Sequence, residues 1–381
     1  MARSSLLWLG SIGVALMTLA CTSSNDFVSQ SAGAGGSSGA AGAGSGGNPA
    51  GGSGGAGATD GGGAGGAAGA PGTDAAVACT DDSACGPGHY CGADAACHDC
   101  ADTARFHFGA PEPLDHVNTA HPNDWLRYPR AVGDQGLIYT VEGSFGLTRA
   151  IWVTDDFATS EGIEATANTD GDGAPLIAAA PASGALSSYN FYFDHAIPNT
   201  LNRQIVGASI DDKGVTTGFA PLPAPINDAN SNLSLALAAD AGRAWWSSDR
   251  VTGIFKYQLF TASVLAAGST TATQVSLTTA PANCPIDVPD PSPWATPDGT
   301  LLLFNSSEHY TDCNNTNAPL DMFVARPDKS GKVSQQADEI DVDLQNINDT
   351  QPSLSPDMCW LYFASDRNGA NSTRLYRAHR R

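Results

Sequence analysis

A unit of strand, tight turn, strand, polar turn and strand recurs along most of the chain, and it limits the possible folds more than any other feature. The clearest copy is PSLSPDMCWLYFASDRNGANSTRLYRA, from Pro352 to Ala378. A second, PSPWATPDGTLLLFNSSEHYTDCNNTNAPLDMFVAR, runs from Pro291 to Arg326, and a third, NLSLALAADAGRAWWSSDRVTGIFKYQL, from Asn232 to Leu259. Aligned on the turn aspartates Asp240, Asp298 and Asp357, these copies stand 58 and 59 residues apart. Two weaker copies precede them, one with its turn at Asp134 and one near Ser183; Asp134 to Asp240 is 106 residues, close to two repeats.

Each piece has a physical role. Pro-Asp-Gly and its variants supply a β-turn, in which proline fixes φ and glycine accepts positive φ. The apolar runs Leu301 to Phe304, Trp360 to Phe363 and Ala244 to Trp246 read as buried strands. Ser-Asp-Arg, at Ser248 to Arg250 and Ser365 to Arg367, ends that strand before a third one such as Arg374 to Ala378. A multi-strand repeat of this period predicts an all-β fold, a β-propeller of five or six blades. Five motifs are visible, and a sixth unit is sought around Thr261 to Asn283 or Asp155 to Asp172. The body opens with ARFHFGAPEPLDHVN and closes on LYRAHRR. These offset ends predict that an N-terminal strand completes the last blade.

The pattern P-x-x-S-P-D-G-x-x-L-x-F-x-S-D-R-x-G, followed by an aliphatic and aromatic strand, resembles the WD-like repeats of TolB-type propellers. The resemblance covers most of Ala101 to Arg381. Met358 stands where that family has its turn glycine, and the copy near Ser183 lacks the acidic turn residue. A TolB-like place in an envelope complex is one implication, although a cysteine-rich module replaces that family's N-terminal domain.

The module, residues 77–100, carries Cys79, Cys85, Cys91, Cys97 and Cys100 in the spacing C-x5-C-x5-C-x5-C-x2-C. In an exported chain such a cluster reads as disulfides. Zinc is the alternative, with Cys97 and Cys100 as one knuckle and His89 or His98 beside it, but a second C-x2-C is missing. The body adds Cys284, Cys313 and Cys359. Five and three are both odd, so complete pairing demands at least one bridge between module and body. Cys284 with Cys313 would close a loop within one unit and leave Cys359 for the cross-bridge; a free buried Cys359 is the alternative.

The N-terminus, MARSSLLWLGSIGVALMTLAC, has a basic Arg3, a short apolar stretch and Ala20 before Cys21. It is too short for a comfortable membrane span and fits a cleaved signal peptide of residues 1–20. It resembles bacterial lipoprotein signals, which implies acylation of Cys21 and an outer-membrane or cell-surface location; Thr18 stands where that family has Leu or Val. An ordinary cleaved signal is the alternative. Residues 21–76 form a tether, almost wholly Gly, Ala and Ser from Ser31 to Ala76. With no apolar surface to offset its ordering entropy it is expected to stay flexible, spanning roughly 40 Å. Gly51 to Gly55 fits G-x-S-x-G by composition alone, without the strand and helix that a nucleophile elbow needs.

Formal charge is -21 with 18 Lys plus Arg, which disfavours nucleic acid as a partner. The histidines at 107, 116, 121, 195, 309 and 379 fall in no metalloprotease or nucleophile pattern. Asp170 to Gly173 lacks the downstream Glu of a calcium loop. No catalytic residue, metal or cofactor is assigned. The acidic segment Asp338 to Asp349 reads as an inter-blade loop with analogues near Asn118 and Asn227; a functional version would ring one face and bind a cation or basic partner. Trp245, Trp246, Trp294 and Trp360 read as core. The expectation is a non-enzymatic binding or scaffolding propeller at the cell envelope, membrane-bound only by lipid, with an envelope protein or glycan as ligand. The alternative is an exported polysaccharide hydrolase or lyase with its site in the propeller channel.

Overall fold

The apolar runs fold as the second strands of four-stranded antiparallel sheets. The computed structural model describes residues 78–381 apart from 133–135, 143–146, 152–158, 163–172, 179–185, 187–188, 201, 212–214, 252–256, 265–270, 276–291, 307–318, 334–336, 345–346 and 370–371. All of these belong to the second of two units into which the chain divides, Ala70–Arg381. Among them no helix is long and apolar enough to cross a membrane.

A small hairpin comes first, β1 (His89–Cys91) paired with β2 (Cys97–Asp99). A short strand, β3 (Glu112–Pro113), and a helix, α1 (Asp115–Ala120), lead into the sheets. The first sheet is β4 (Trp125–Val132), β5 (Gly136–Glu142), β6 (Leu147–Ile151) and β7 (Thr159–Gly162). The second is β8 (Gly173–Ile177), β9 (Phe191–Ala196), β10 (Arg203–Ile210) and β11 (Thr216–Pro221). The third is β12 (Asn232–Ala238), β13 (Arg243–Ser248), β14 (Gln258–Ser263) and β15 (Thr273–Gln274). The fourth is β16 (Trp294–Ala295), β17 (Leu302–Ser306), β18 (Asp321–Ala325) and β19 (Asp338–Glu339). The fifth joins β20 (Asp349–Leu354), β21 (Trp360–Ser365) and β22 (Arg374–His379) to β3.

That last pairing sets Pro113 opposite Tyr376 and Glu112 opposite Arg377, so the two ends of the body share one sheet. The first strands of the sheets lie side by side in a cycle: β4 touches β8 and β20, while β12 touches β8 and β16, and β16 touches β20. The sheets therefore stand around a common axis with their first strands innermost, a β-propeller arrangement. Among the described residues there is no sixth four-stranded sheet. Where they are described, the segments Thr261 to Asn283 and Asp155 to Asp172 belong to the third and first sheets: Thr261 to Ser263 end β14, Thr273–Gln274 is β15 and Thr159–Gly162 is β7.

The period of two along each second strand explains how the ring is filled. Trp245 packs between the third and fourth sheets with Phe304 and Phe323, whereas its neighbour Trp246 packs between the second and third with Tyr192 and Phe260. Tyr362 and Phe363 divide in the same way, as do Ile138 and Tyr139. Every seam thus holds one apolar cluster, fed by alternate residues of the strands on either side. Trp294 and Trp360 are partly buried against these clusters.

The inner strands carry a feature that the repeat pattern did not reveal. Tyr128, Ala174, Ser234, Ser292 and Gln351 all have positive φ, one on, or two residues before, each innermost strand. In β4, β8, β12 and β20 that residue lies inside a break of the ladder register. Proline follows it in four of the five cases, at Pro129, Pro175, Pro293 and Pro352. A bulge leaves one residue unpaired, so proline's missing N–H costs no ladder bond there. The leading proline of the repeat motif therefore marks a bulge on the axis.

Candidate functional site

The end of the ring at which each inner strand begins and each second strand finishes collects the polar turns and the loops between sheets. Two Ser-Asp-Arg turns build it in the same way. Arg250 donates from Nε to Ser248 Oγ (3.0 Å) and from its terminal nitrogens to the carbonyls of Pro225 (3.1 Å) and Ile226 (3.0 Å), and it pairs with Asp228 at 3.3 Å. Its guanidinium lies over the rings of Trp246 (5.3 Å) and Phe260 (4.8 Å). Arg367 repeats this with Ser365 Oγ (3.0 Å), the Val342 carbonyl (3.2 Å), Asp349 (2.9 Å) and the rings of Phe363 and Tyr376. The aspartates of the two turns face the same loops: Asp249 accepts from the Ser231 amide and Asp366 from that of Asn348. Burial holds Arg250 below the usual arginine range, partly offset by Asp228 and Asp249. These arginines are spent on holding the loops.

The loops are themselves repeats. Leu114, Leu222 and Ile340, all buried, each donate a backbone N–H to a third strand of the preceding sheet, at Leu375, Ile205 and Met322. Buried Val117, Ile226 and Val342 follow, and then comes Asn118, Asn227 or Asp343. Asn118 accepts from Leu375 N (2.9 Å) and donates to Leu375 O (2.9 Å). Asn227 does the same with Ile205, at 2.8 and 2.7 Å. Asp343 accepts from Met322 N at 2.8 Å, but its other oxygen is buried without a partner. Burial pushes its carboxyl up to about 9, and Asp349, Asp321 and Glu339 push the same way against the Met322 bond.

Nearer the axis, polar side chains join sheet to sheet through the bulges. Asn305 accepts from Gln351 N (3.3 Å), and the Gln351 side chain accepts from Tyr128 N (2.9 Å). Arg130, 3% exposed, donates to the carbonyls of Pro129, Gln351 and Pro352. Ser353 donates to Pro129 O at 2.7 Å. In the second sheet Asp194, 5% exposed, pairs with Arg203 at 2.5 Å.

Among the described residues three large apolar side chains are exposed, and all belong to this end. Trp125, 41% exposed, opens β4; Arg127 lies 5.2 Å from its ring and pairs with Glu142 at 2.9 Å. Val251 follows the first Ser-Asp-Arg turn, and Leu344 sits in the loop before β20. The sequence pattern does not single out Trp125. It precedes the first repeat motif, where no alternation of apolar and polar residues marks a strand.

The cysteines of the module are all joined: Cys79 to Cys91, Cys85 to Cys97, and Cys100 to Cys359, 259 residues away. The sulfurs of Cys79, Cys85 and Cys91 lie close together but are held in two bridges, and Cys97 and Cys100 are likewise not free to form a zinc knuckle. Asp298 and Asp357 cap their turns, accepting from Thr300 N (3.0 Å) and Cys359 N (3.1 Å). The Asp240 amide donates to Pro297 O of the neighbouring turn. Cys21, Cys284, Cys313, Asp134, His309 and the Asp170 to Asp172 segment lie outside the described residues. Histidines pair with separate carboxylates, His107 with Asp341, His121 with Asp124 and His379 with Asp82.

No family model matches the chain, and no curated protein does. Among solved structures it is similar to the endo-arabinase from Bacteroides thetaiotaomicron VPI-5482, at 13% identity over 71% of this chain and 96% of that one, with a TM-score of 0.45. An alpha-L-arabinanase of Penicillium chrysogenum complexed with arabinobiose is 13% identical over 71% of this chain and 95% of its own, with a TM-score of 0.33. A puromycin-hydrolyzing peptidase of Mycobacterium tuberculosis is also 13% identical, over 72% of this chain but 39% of its own, with a TM-score of 0.33.

Proposed function

We propose that the protein is an exported, lipid-anchored β-propeller that binds a ligand at the cell envelope. Acylation at Cys21 holds it to the membrane, and the Gly, Ala and Ser segment of residues 21–76 separates the anchor from the folded body. Each four-stranded sheet is one blade, five in all, of the TolB-like type that the repeat motif resembles. The ligand, an envelope protein or a glycan, is taken at the end of the ring that carries the inter-sheet loops.

One observation carries the reading. At that end Arg250 and Arg367 are spent on loop carbonyls and aspartates, while Trp125, Val251 and Leu344 stay exposed. Charged groups committed to structure beside exposed apolar ones suit recognition better than proton transfer. The test is binding by the full chain to purified envelope proteins and to a glycan array, with Trp125→Ala and Leu344→Asp as controls. Saturable binding lost in both variants supports the reading; binding unaffected by either overturns it. Radiolabelled fatty acid should enter the wild type and not Cys21→Ser.

A second reading is an exported polysaccharide hydrolase or lyase with its site in the propeller channel. Turnover of arabinan or another glycan by the full chain would establish it and displace the first.

A further inference from the structure

Three loops make one joint in three places, and two of them make it with an asparagine. At Asn118 and Asn227 the side-chain oxygen accepts the amide of the facing third strand, and the side-chain nitrogen donates to the carbonyl of that same residue. The third joint has the same backbone frame, with Ile340 N donating to Met322 O at 2.9 Å. Its Asp343 makes the first of the two bonds and leaves one oxygen buried and unpaired. A carboxylate has no hydrogen to give a carbonyl, whereas a carboxylic acid has one and is then the isostere of the asparagine.

We propose that Asp343 keeps a proton in the folded protein and donates it to the Met322 carbonyl, so that the seam between the fourth and fifth sheets is a joint that loosens when the proton leaves. The surroundings favour the neutral form. Asp321 on β18, Glu339 on β19 and Asp349 on β20 all repel a charge at Asp343, and the nearby cation Arg367 is already paired with Asp349 at 2.9 Å. An unpaired buried oxygen would otherwise forfeit the whole of its desolvation. The other two joints are made by asparagine, which does not titrate.

The sign of the effect follows from linkage. The unfolded chain releases this proton near the ordinary carboxyl value of 3.8, and the folded chain keeps it to about 9. Between those limits the native state binds more protons than the unfolded one, so the joint's contribution falls as pH rises through the window and is gone above it.

The experiment uses the full chain with carbon-13-labelled aspartate carboxyls, titrated by NMR, beside thermal unfolding over the same pH range. One resonance, absent in Asp343→Asn, should remain in the protonated position through neutral pH and move only near the alkaline limit. Asp343→Asn should unfold at a higher temperature than the wild type at pH 8 and lose that advantage at pH 4. Asp343→Ala, which has neither bond, should unfold lower than Asp343→Asn at every pH. A resonance that titrates with the exposed carboxylates overturns the proposal. So does a rise in wild-type unfolding temperature on adding calcium that Asp343→Asn abolishes: the second oxygen of Asp349 and the hydroxyl of Ser306 are also buried without partners, and a hard cation, not a proton, would then close the joint.

Discussion

The cysteine module and the ring are stabilised by opposite means. The module from Ala78 to Cys100 buries little apolar surface beyond Tyr90, and three disulfides involve all five of its cysteines. The ring has an aromatic and aliphatic cluster in every seam, and among the described residues its sole disulfide is the one that reaches the module. A segment of this size cannot gather a core, so its stability comes from restricting the unfolded chain. The ring is large enough to rely on burial. Met358 touches both regions, packing on the Tyr90, Cys100 and Cys359 cluster and on the seam of the fourth and fifth sheets.

The largest separation should come from Phe304→Ala. Phe304 is fully buried and stacks on Phe323 at 5.8 Å, so the ring should lose about 4 kcal/mol in denaturant unfolding while the module's bridges stay intact. A loss near 1 kcal/mol would show that the seams do not carry the ring. Arg367→Ala should cost about 3 kcal/mol, because it leaves Asp349, with no exposed surface, uncompensated. Arg250→Ala should cost less, since Asp228 reaches water; equal losses would contradict this ranking.

Replacing Cys85 and Cys97 together by serine should cost the module about 3 kcal/mol by the loop-closure estimate. Limited proteolysis should then cut within the module, with the ring's midpoint unmoved. Coupled loss of both regions would mean that the module is part of the ring's cooperative unit. The smallest effect belongs to Met358→Gly. Met358 has a φ of 59°, where the neighbouring turn has Gly299 at 72°. Relief of that backbone conformation and loss of the side chain's packing oppose each other, so the net change in unfolding free energy should stay within about 1 kcal/mol.

The ring is legible in the sequence where local chemistry repeats. Asp298 and Asp357 cap turns, Trp245 and Trp246 alternate between seams, and β3 completes the sheet of β22 as the offset ends require. Complete pairing of the cysteines would require a bridge between module and body, with a free Cys359 as the alternative, and Cys100–Cys359 is such a bridge. The inner bulges are not legible, because Tyr128, Ala174, Ser234, Ser292 and Gln351 share a backbone conformation and no side-chain type. The loop joints are half visible. The acidic segment aligns with Asn118 and Asn227, but the pairing of Asp343 with them rests on which third-strand residue each one faces. Trp125 is silent in the sequence since an exposed side chain leaves no periodic trace.

The bridge from Cys100 to Cys359 also decides how the molecule bears load. A pull on residue 78 passes through Cys100 directly into the chain ahead of β21. The short β3–β22 ladder that joins the ends of the body is bypassed on that path, and the residues from 101 to 358 lie in a covalent loop closed by the bridge. Dragged by its N-terminal end, the ring would move as a bead on a hook rather than unzip from its first strand.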